Sequence, residues 1–221
     1  MTDERAGGET LRERTRRAVQ SELLDAGQRL FAERGYEAVT VDEIAAAVGM
    51  SKRSFFRYFG SKEALVLGKY DRQGEAFAAA LASRPVEEPS WMALRRMFDG
   101  VVAYVSDPEL ARRAAELDRV INSSETLRAG YLERMERAQR LIVEELARRA
   151  NAGGAADETS RLVGARSHAT SELRRTAMVA AAFAALSTAH RYARANELPL
   201  GETLDEAMAA VAAVAATAPM T

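Results

Sequence analysis

Apolar residues recur at three- and four-residue intervals through most of the chain, and no segment alternates apolar and polar positions as a half-buried strand would. The pattern predicts an all-α protein. Over about Thr15–Arg34, Leu23, Leu24, Gly27, Leu30 and Phe31 line one stripe, and Gly35 stands where that helix would stop. Residues 1–14, with Gly7 and Gly8 among charges, read as a mobile arm. Thr40-Val41-Asp42-Glu43 has the spacing of a capping box, in which Thr and Glu satisfy each other's backbone donors. It opens a short helix carrying Val41, Ile44, Ala45 and Val48, which Gly49-Met50 breaks. Ser51 then caps a second short helix, Lys52–Phe59, whose apolar face is Phe55 and Phe59. Gly60-Ser61 ends it, and Ser61 caps a long third helix running towards Ser83.

The remainder predicts a larger helical region. Pro85 and Pro89 bracket a linker, and Ser90 caps a helix with Trp91, Leu94, Phe98, Val101 and Val105 on one stripe. Ser106-Asp107-Pro108 stops it and starts the next, with proline at the first helical position. Helices are expected at about Pro108–Ile121, Glu125–Arg149, Glu172–Ala195 and Thr203–Ala216, the last two separated by Leu198-Pro199-Leu200-Gly201. Residues 155–170 have weak periodicity and no clear assignment. No internal repeat is present.

Composition narrows the chemistry. Of 221 residues 48% are hydrophobic, enough for a real core, and there is no cysteine, which removes disulfides, thiol catalysis and cysteine-based zinc sites. His168 and His190 are too few for a multi-histidine metal centre, so no metal and no cofactor is expected. The longest uncharged runs, Thr176–His190 and Ala207–Thr221, are alanine-rich and too short to span a bilayer. Met1–Arg5 lacks the apolar core of a secretory signal. A cytoplasmic protein with no membrane contact is the expectation. Net charge is −1, but its distribution is uneven: residues 51–69 hold Lys52, Arg53, Arg57, Lys62 and Lys69 against Glu63 alone, a local net of +4.

That cationic stretch coincides with the short helix pair. A helix-turn-helix needs a first helix that buries one face, a tight turn, and a second helix that keeps a polar, positive face outward. Ile44, Val48, Phe55 and Phe59 can pack on Leu30 and Phe31, with Ala45 small where the helices approach. This leaves Lys52, Arg53, Ser54, Phe56, Arg57 and Tyr58 on the exposed side, offering cations for guanine edges and phosphates, a hydroxyl, and a ring for a thymine methyl.

The run Gly49-Met50-Ser51-Lys52-Arg53-Ser54-Phe55-Phe56-Arg57-Tyr58-Phe59-Gly60-Ser61-Lys62-Glu63-Ala64-Leu65 resembles the signature of TetR/AcrR-type transcriptional regulators, and Leu30–Val41 resembles the end of that family's first helix. The resemblance covers roughly residues 15–65. It implies a three-helix helix-turn-helix DNA-binding domain at 15–65, followed by a larger helical ligand-binding and dimerisation domain at 66–221. It further implies that Lys52, Arg53, Ser54, Phe56 and Arg57 face the major groove, while Thr40, Tyr58 and Lys62 hold phosphates. Many relatives have Tyr where this chain has Phe56, which lacks the hydroxyl for a phosphate. The arginines Arg12, Arg14, Arg16 and Arg17 could lie along the DNA backbone or in a minor groove.

For the larger region, the apolar residues Trp91, Met97, Phe98, Val101, Tyr104, Leu117, Ile121, Tyr131, Met135 and Phe183 are candidates for lining an effector pocket, against the alternative of ordinary core. The form Phe55–Phe59 is similar to a subgroup whose C-terminal domain binds acyl-CoA-like ligands. The last two helices carry small-residue surfaces, and Ala181, Ala185, Met208 and Val211 are candidates for a four-helix interface between two copies, the arrangement that the family implies. The pairs Arg112/Arg113, Arg148/Arg149 and Arg174/Arg175 read as solvated faces. The expected function is a ligand-responsive repressor, a homodimer on double-stranded operator DNA with inverted-repeat symmetry, released by a small-molecule effector. Two alternatives stand beside it: a DNA-binding regulator whose C-terminal domain is a protein-interaction module, and an enzyme, for which no G-x-S-x-G, phosphate loop or metal-ligand spacing is found.

Overall fold

The computed structural model describes residues 10–153 and 164–217. Ten helices account for the regular structure of these residues: α1 (Leu11–Arg34), α2 (Val41–Ala47), α3 (Lys52–Phe55), α4 (Lys62–Ala82), α5 (Ser90–Met97), α6 (Asp99–Ser106), α7 (Pro108–Ser123), α8 (Glu125–Gly153), α9 (Gly164–Asn196) and α10 (Leu200–Thr217). The expected all-α class holds, and several boundaries move. The first helix begins at Leu11, because Thr10 and Glu13 form a second capping box: Glu13 N–H donates to Thr10 Oγ1, and Thr10 N–H to Glu13 Oε2. Residues 11–14 are therefore helix, and the rest of the expected arm, 1–9, lies outside the described residues. The helix expected over 90–105 divides at Phe98, whose amide donates to Arg95 O while its carbonyl accepts from Val101, both three-residue bonds. The last two helices start earlier than expected, at Gly164 and Leu200; of the ambiguous segment, residues 155–163 lie outside the described residues.

The chain forms two compact units. One comprises the described residues up to Lys69 together with Ala115–Tyr131; the other comprises Tyr70–Ala114 and the described residues from Leu132 onward. In the first unit, Leu23, Phe31, Val39, Ile44, Ala45, Phe55, Leu65, Val66 and Leu67 are buried, and Leu117, Val120, Ile121 and Leu127 are buried in the same unit. Gly27 is required by close approach here: a Cβ at this position would lie 2.7 Å from Leu65 Cδ2, so α1 and α4 touch through a bare backbone.

The second unit is centred on Phe77, Leu81, Leu94, Met97, Phe98, Ile142, Leu146 and Val179, with small residues Ala182, Ala185 and Ala189 of α9 and Leu204 and Met208 of α10 closing the cluster. Phe77, Phe98 and Phe183 meet edge to face with centroids 5.4–5.9 Å apart, the arrangement that ring quadrupoles favour. Arg149, expected on a solvated face, is instead buried. Its guanidinium donates to the carbonyls of Leu81 (3.0 Å), Arg84 (2.7 Å) and Pro85 (2.7 Å), supplying the end of α4 and the following turn with a charged cap.

Candidate nucleic-acid interface

The reading surface is built from the local chemistry of the 40–59 segment. Thr40 caps α2 as the spacing predicts: Glu43 N–H donates to Thr40 Oγ1, and Thr40 N–H donates to Glu43 Oε2 at 2.7 Å. That backbone bond, followed by the Arg34 guanidinium at 2.6 Å, lowers the Glu43 carboxyl to a pKa of about 2. Gly49 has φ +68°, and the amides of Gly49 and Met50 donate to Ala46 O and Ala45 O. These are the two bonds of a Schellman turn, which needs a left-handed residue and so a glycine.

Ser51 then caps α3, accepting from Ser54 N–H at 3.1 Å. The α-helix proper is only Lys52–Phe55, shorter than the Lys52–Phe59 expected. Beyond it Arg57 N–H donates to Ser54 O and Tyr58 N–H to Phe55 O in tighter, three-residue turns, and Phe59 N–H closes the segment with a four-residue bond to Phe55 O. The element is held by its underside: Phe55 is fully buried, with Phe56 and Phe59 5.5 Å and 5.8 Å away, centroid to centroid. Lys52, Arg53, Phe56 and Arg57 stand exposed on the other side, Ser54 and Tyr58 half-buried. Tyr58 is gripped from α1, with Gln20 Nε2 donating to its carbonyl (3.4 Å) and the Arg16 guanidinium 5.7 Å from its ring centroid.

Lys62, which the resemblance places at a phosphate, also has partners within the protein. Its ammonium donates to the carbonyls of Tyr36 (2.7 Å) and Val39 (2.8 Å) and sits 4.1 Å from the Tyr36 ring centroid. Two of its three protons are committed to closing the α1–α2 loop, so it acts as a brace of the reading head. The Tyr36 phenol beneath it has its pKa pushed up to about 12, first by burial and then by Glu63 and Glu37. Lys62→Met is expected to lower the stability of this unit by about 1–3 kcal/mol, because two buried carbonyls lose a charged donor. The salt dependence of DNA binding should stay unchanged; urea titration and binding at several salt concentrations check the two halves.

The family model for bacterial regulatory proteins of the tetR family matches residues 23–68, the segment just described. Residues 23–68 thus form a DNA-binding segment of the tetR type. Among curated relatives, the HTH-type transcriptional regulator TcmR of Streptomyces glaucescens is 36% identical over 146 residues, 64% of this chain and 65% of that one. The chain thus spans just under two thirds of that relative's length. Among solved structures, a TetR-family regulator from Streptomyces coelicolor A3 is 20% identical with a TM-score of 0.52, covering 94% of this chain and 98% of that one. FadR of Thermus thermophilus, a TetR-family repressor solved in complex with lauroyl-CoA, is 18% identical with a TM-score of 0.50, covering 86% and 91%. At these identities the likeness is one of fold.

The other candidate residues are not brought together as expected. Trp91, Met97, Phe98, Val101 and Phe183 belong to the core cluster of the second unit, where Trp91 Nε1 donates to Met208 O at 3.3 Å. Met135 is half-buried in that unit and Tyr104 is exposed. Leu117, Ile121 and Tyr131 fall in the first unit, because the second half of α7 and the first turns of α8 pack there. Of the interface candidates, Ala185 and Met208 are buried within their own subunit, and Ala181 and Val211 are half-buried. The exposed small-residue face is another one, Ala177, Ala180 and Ala184 on α9 and Ala209 and Ala210 on α10, flanked by Leu173 and Val214. No described helix is long and apolar enough to cross a membrane, and no cluster of potential metal ligands occurs among the described residues.

Proposed function

We propose that this protein is a ligand-responsive repressor that binds an inverted-repeat operator as a homodimer and lets go when a small molecule occupies its C-terminal domain. The observation carrying the reading is the exposed face of Lys52, Arg53, Phe56 and Arg57, presented by a four-residue helix whose underside is anchored at Phe55. Cations and a ring on a short, rigid element match what a major groove offers. The exposed alanine face of α9 and α10 is suited to close packing against a second copy, and two-fold protein symmetry would impose an inverted repeat on the DNA. An acyl-CoA is the effector class put forward, since the FadR likeness carries lauroyl-CoA and the apolar core of the second unit includes Met97 and Met208, side chains that adapt their shape readily.

The test is selection of bound duplexes from a random-sequence library by the purified chain, followed by challenge with lauroyl-CoA. Enrichment of an inverted repeat, a solution mass twice the 24.1 kDa of the chain, and release by lauroyl-CoA are expected. Failure to enrich any sequence refutes DNA reading; enrichment without release refutes only the effector class.

A further inference from the structure

Lys52, the first residue of α3, does not face solvent alone. Its Nζ lies 2.9 Å from Oδ2 of Asp42, on the first turn of α2, and both side chains are more than half exposed, at 57% and 60%. Exposed pairs of this kind contribute little to stability, and a carboxylate on a DNA-facing surface repels phosphates. Asp42 also lies in the first turn of α2, where its charge favours the helix dipole; that accounts for a carboxylate at this position but not for its pairing with the first cation of α3.

What the pair does provide is a cationic donor and an anionic acceptor side by side at the N-terminal end of the reading helix, the end whose side chains reach base edges in helix-turn-helix proteins. In the major groove a G·C pair presents two adjacent acceptors, N7 and O6 of guanine, next to the N4 donor of cytosine. Lysine suits the first two and aspartate the third. The same carboxylate disfavours a phosphate oxygen at Lys52, because the phosphate would have to approach against like charge. We infer that Asp42 is a specificity-determining residue, which together with Lys52 reads one G·C pair in each half-site and keeps Lys52 off the backbone. This inference rests on the DNA-binding reading above.

The experiment repeats the library selection with wild type, Asp42→Ala and Lys52→Ala, each first shown to melt as wild type does. Wild type should demand G·C at one fixed position of the half-site. Both variants should relax that same position by about tenfold or more, with the other positions unchanged. Asp42→Ala should also bind random DNA more tightly than wild type, whereas Lys52→Ala should not. An Asp42→Ala consensus identical to wild type, or one relaxed at a position different from that of Lys52→Ala, overturns the inference and leaves the repressor reading intact. A wild type that enriches nothing defeats both.

Discussion

Phe55→Ala is expected to cost the reading head about 3–5 kcal/mol and, with it, nearly all DNA binding. A helix of four residues has too few backbone bonds to persist unaided, since nucleation alone is unfavourable, so α3 holds its shape because Phe55 is packed. The ring is fully buried and leans on Phe59, and its removal leaves a cavity beneath the element that carries Lys52, Arg53 and Arg57. Set against total stabilities of about 5–15 kcal/mol for ordinary domains, this is a large fraction. The neighbouring Phe56 supplies the contrast. It is 47% exposed and touches Phe55 only edge to face, so Phe56→Ala should cost about 0.5–1.5 kcal/mol, well below Phe55→Ala, while weakening contact with DNA. Urea titration monitored by circular dichroism, with binding measured on the same samples, separates the two substitutions. Equal effects on stability would show that the buried and exposed phenylalanines are assigned to the wrong faces.

The second large effect is that of salt. If each head neutralises three to five phosphates, a dimer makes six to ten such contacts, and affinity should fall by roughly 10³–10⁵ between about 50 and 200 mM monovalent salt. Arg53 and Arg57 stand exposed with no commitment comparable to that of Lys62. Each one replaced by Ala should reduce the slope of log K against log salt by about one per head, if it contacts phosphate. An arginine that reads a base instead should leave the slope nearly intact and cost about 1–3 kcal/mol at its own operator position. Fluorescence anisotropy of one labelled operator across five salt concentrations distinguishes these outcomes. A flat response in wild type would mean that the cationic face does not meet a polyanion at all.

Much of the reading head was legible because its signals are local. The Thr40/Glu43 box, the Gly49 turn and the Ser51 cap each lie within a few residues of the groups they satisfy, so spacing alone specifies them. The Thr10/Glu13 box is equally local, and the glycines just before it obscured it. The roles of Lys52 and Lys62 were not legible. Their partners Asp42, Tyr36 and Val39 lie ten to twenty-six residues away, and no periodicity reports a bond across a turn.

The C-terminal region shows the opposite limit. Along α9 and α10 alanine is the commonest residue, 18 of 51 positions, and it falls on several faces, so the pattern does not say which one turns inward. Ala185 and Met208 face the subunit's own core, while Ala180 and Ala184 remain outside. The division of α7 between the two units is likewise invisible in a helix with one continuous apolar stripe.

By itself, then, the sequence determined the helical class, the capped turn that shapes the reading head and the identity of its outward cations, because hydrogen-bond donors and apolar spacing act over a few residues. Tertiary structure alone decided which face of each alanine-rich helix is buried, which arginine caps a neighbouring helix, and which lysine is a brace and which is paired with Asp42. Those outcomes depend on desolvation and charge contacts between segments far apart in the chain, where no local pattern carries the information.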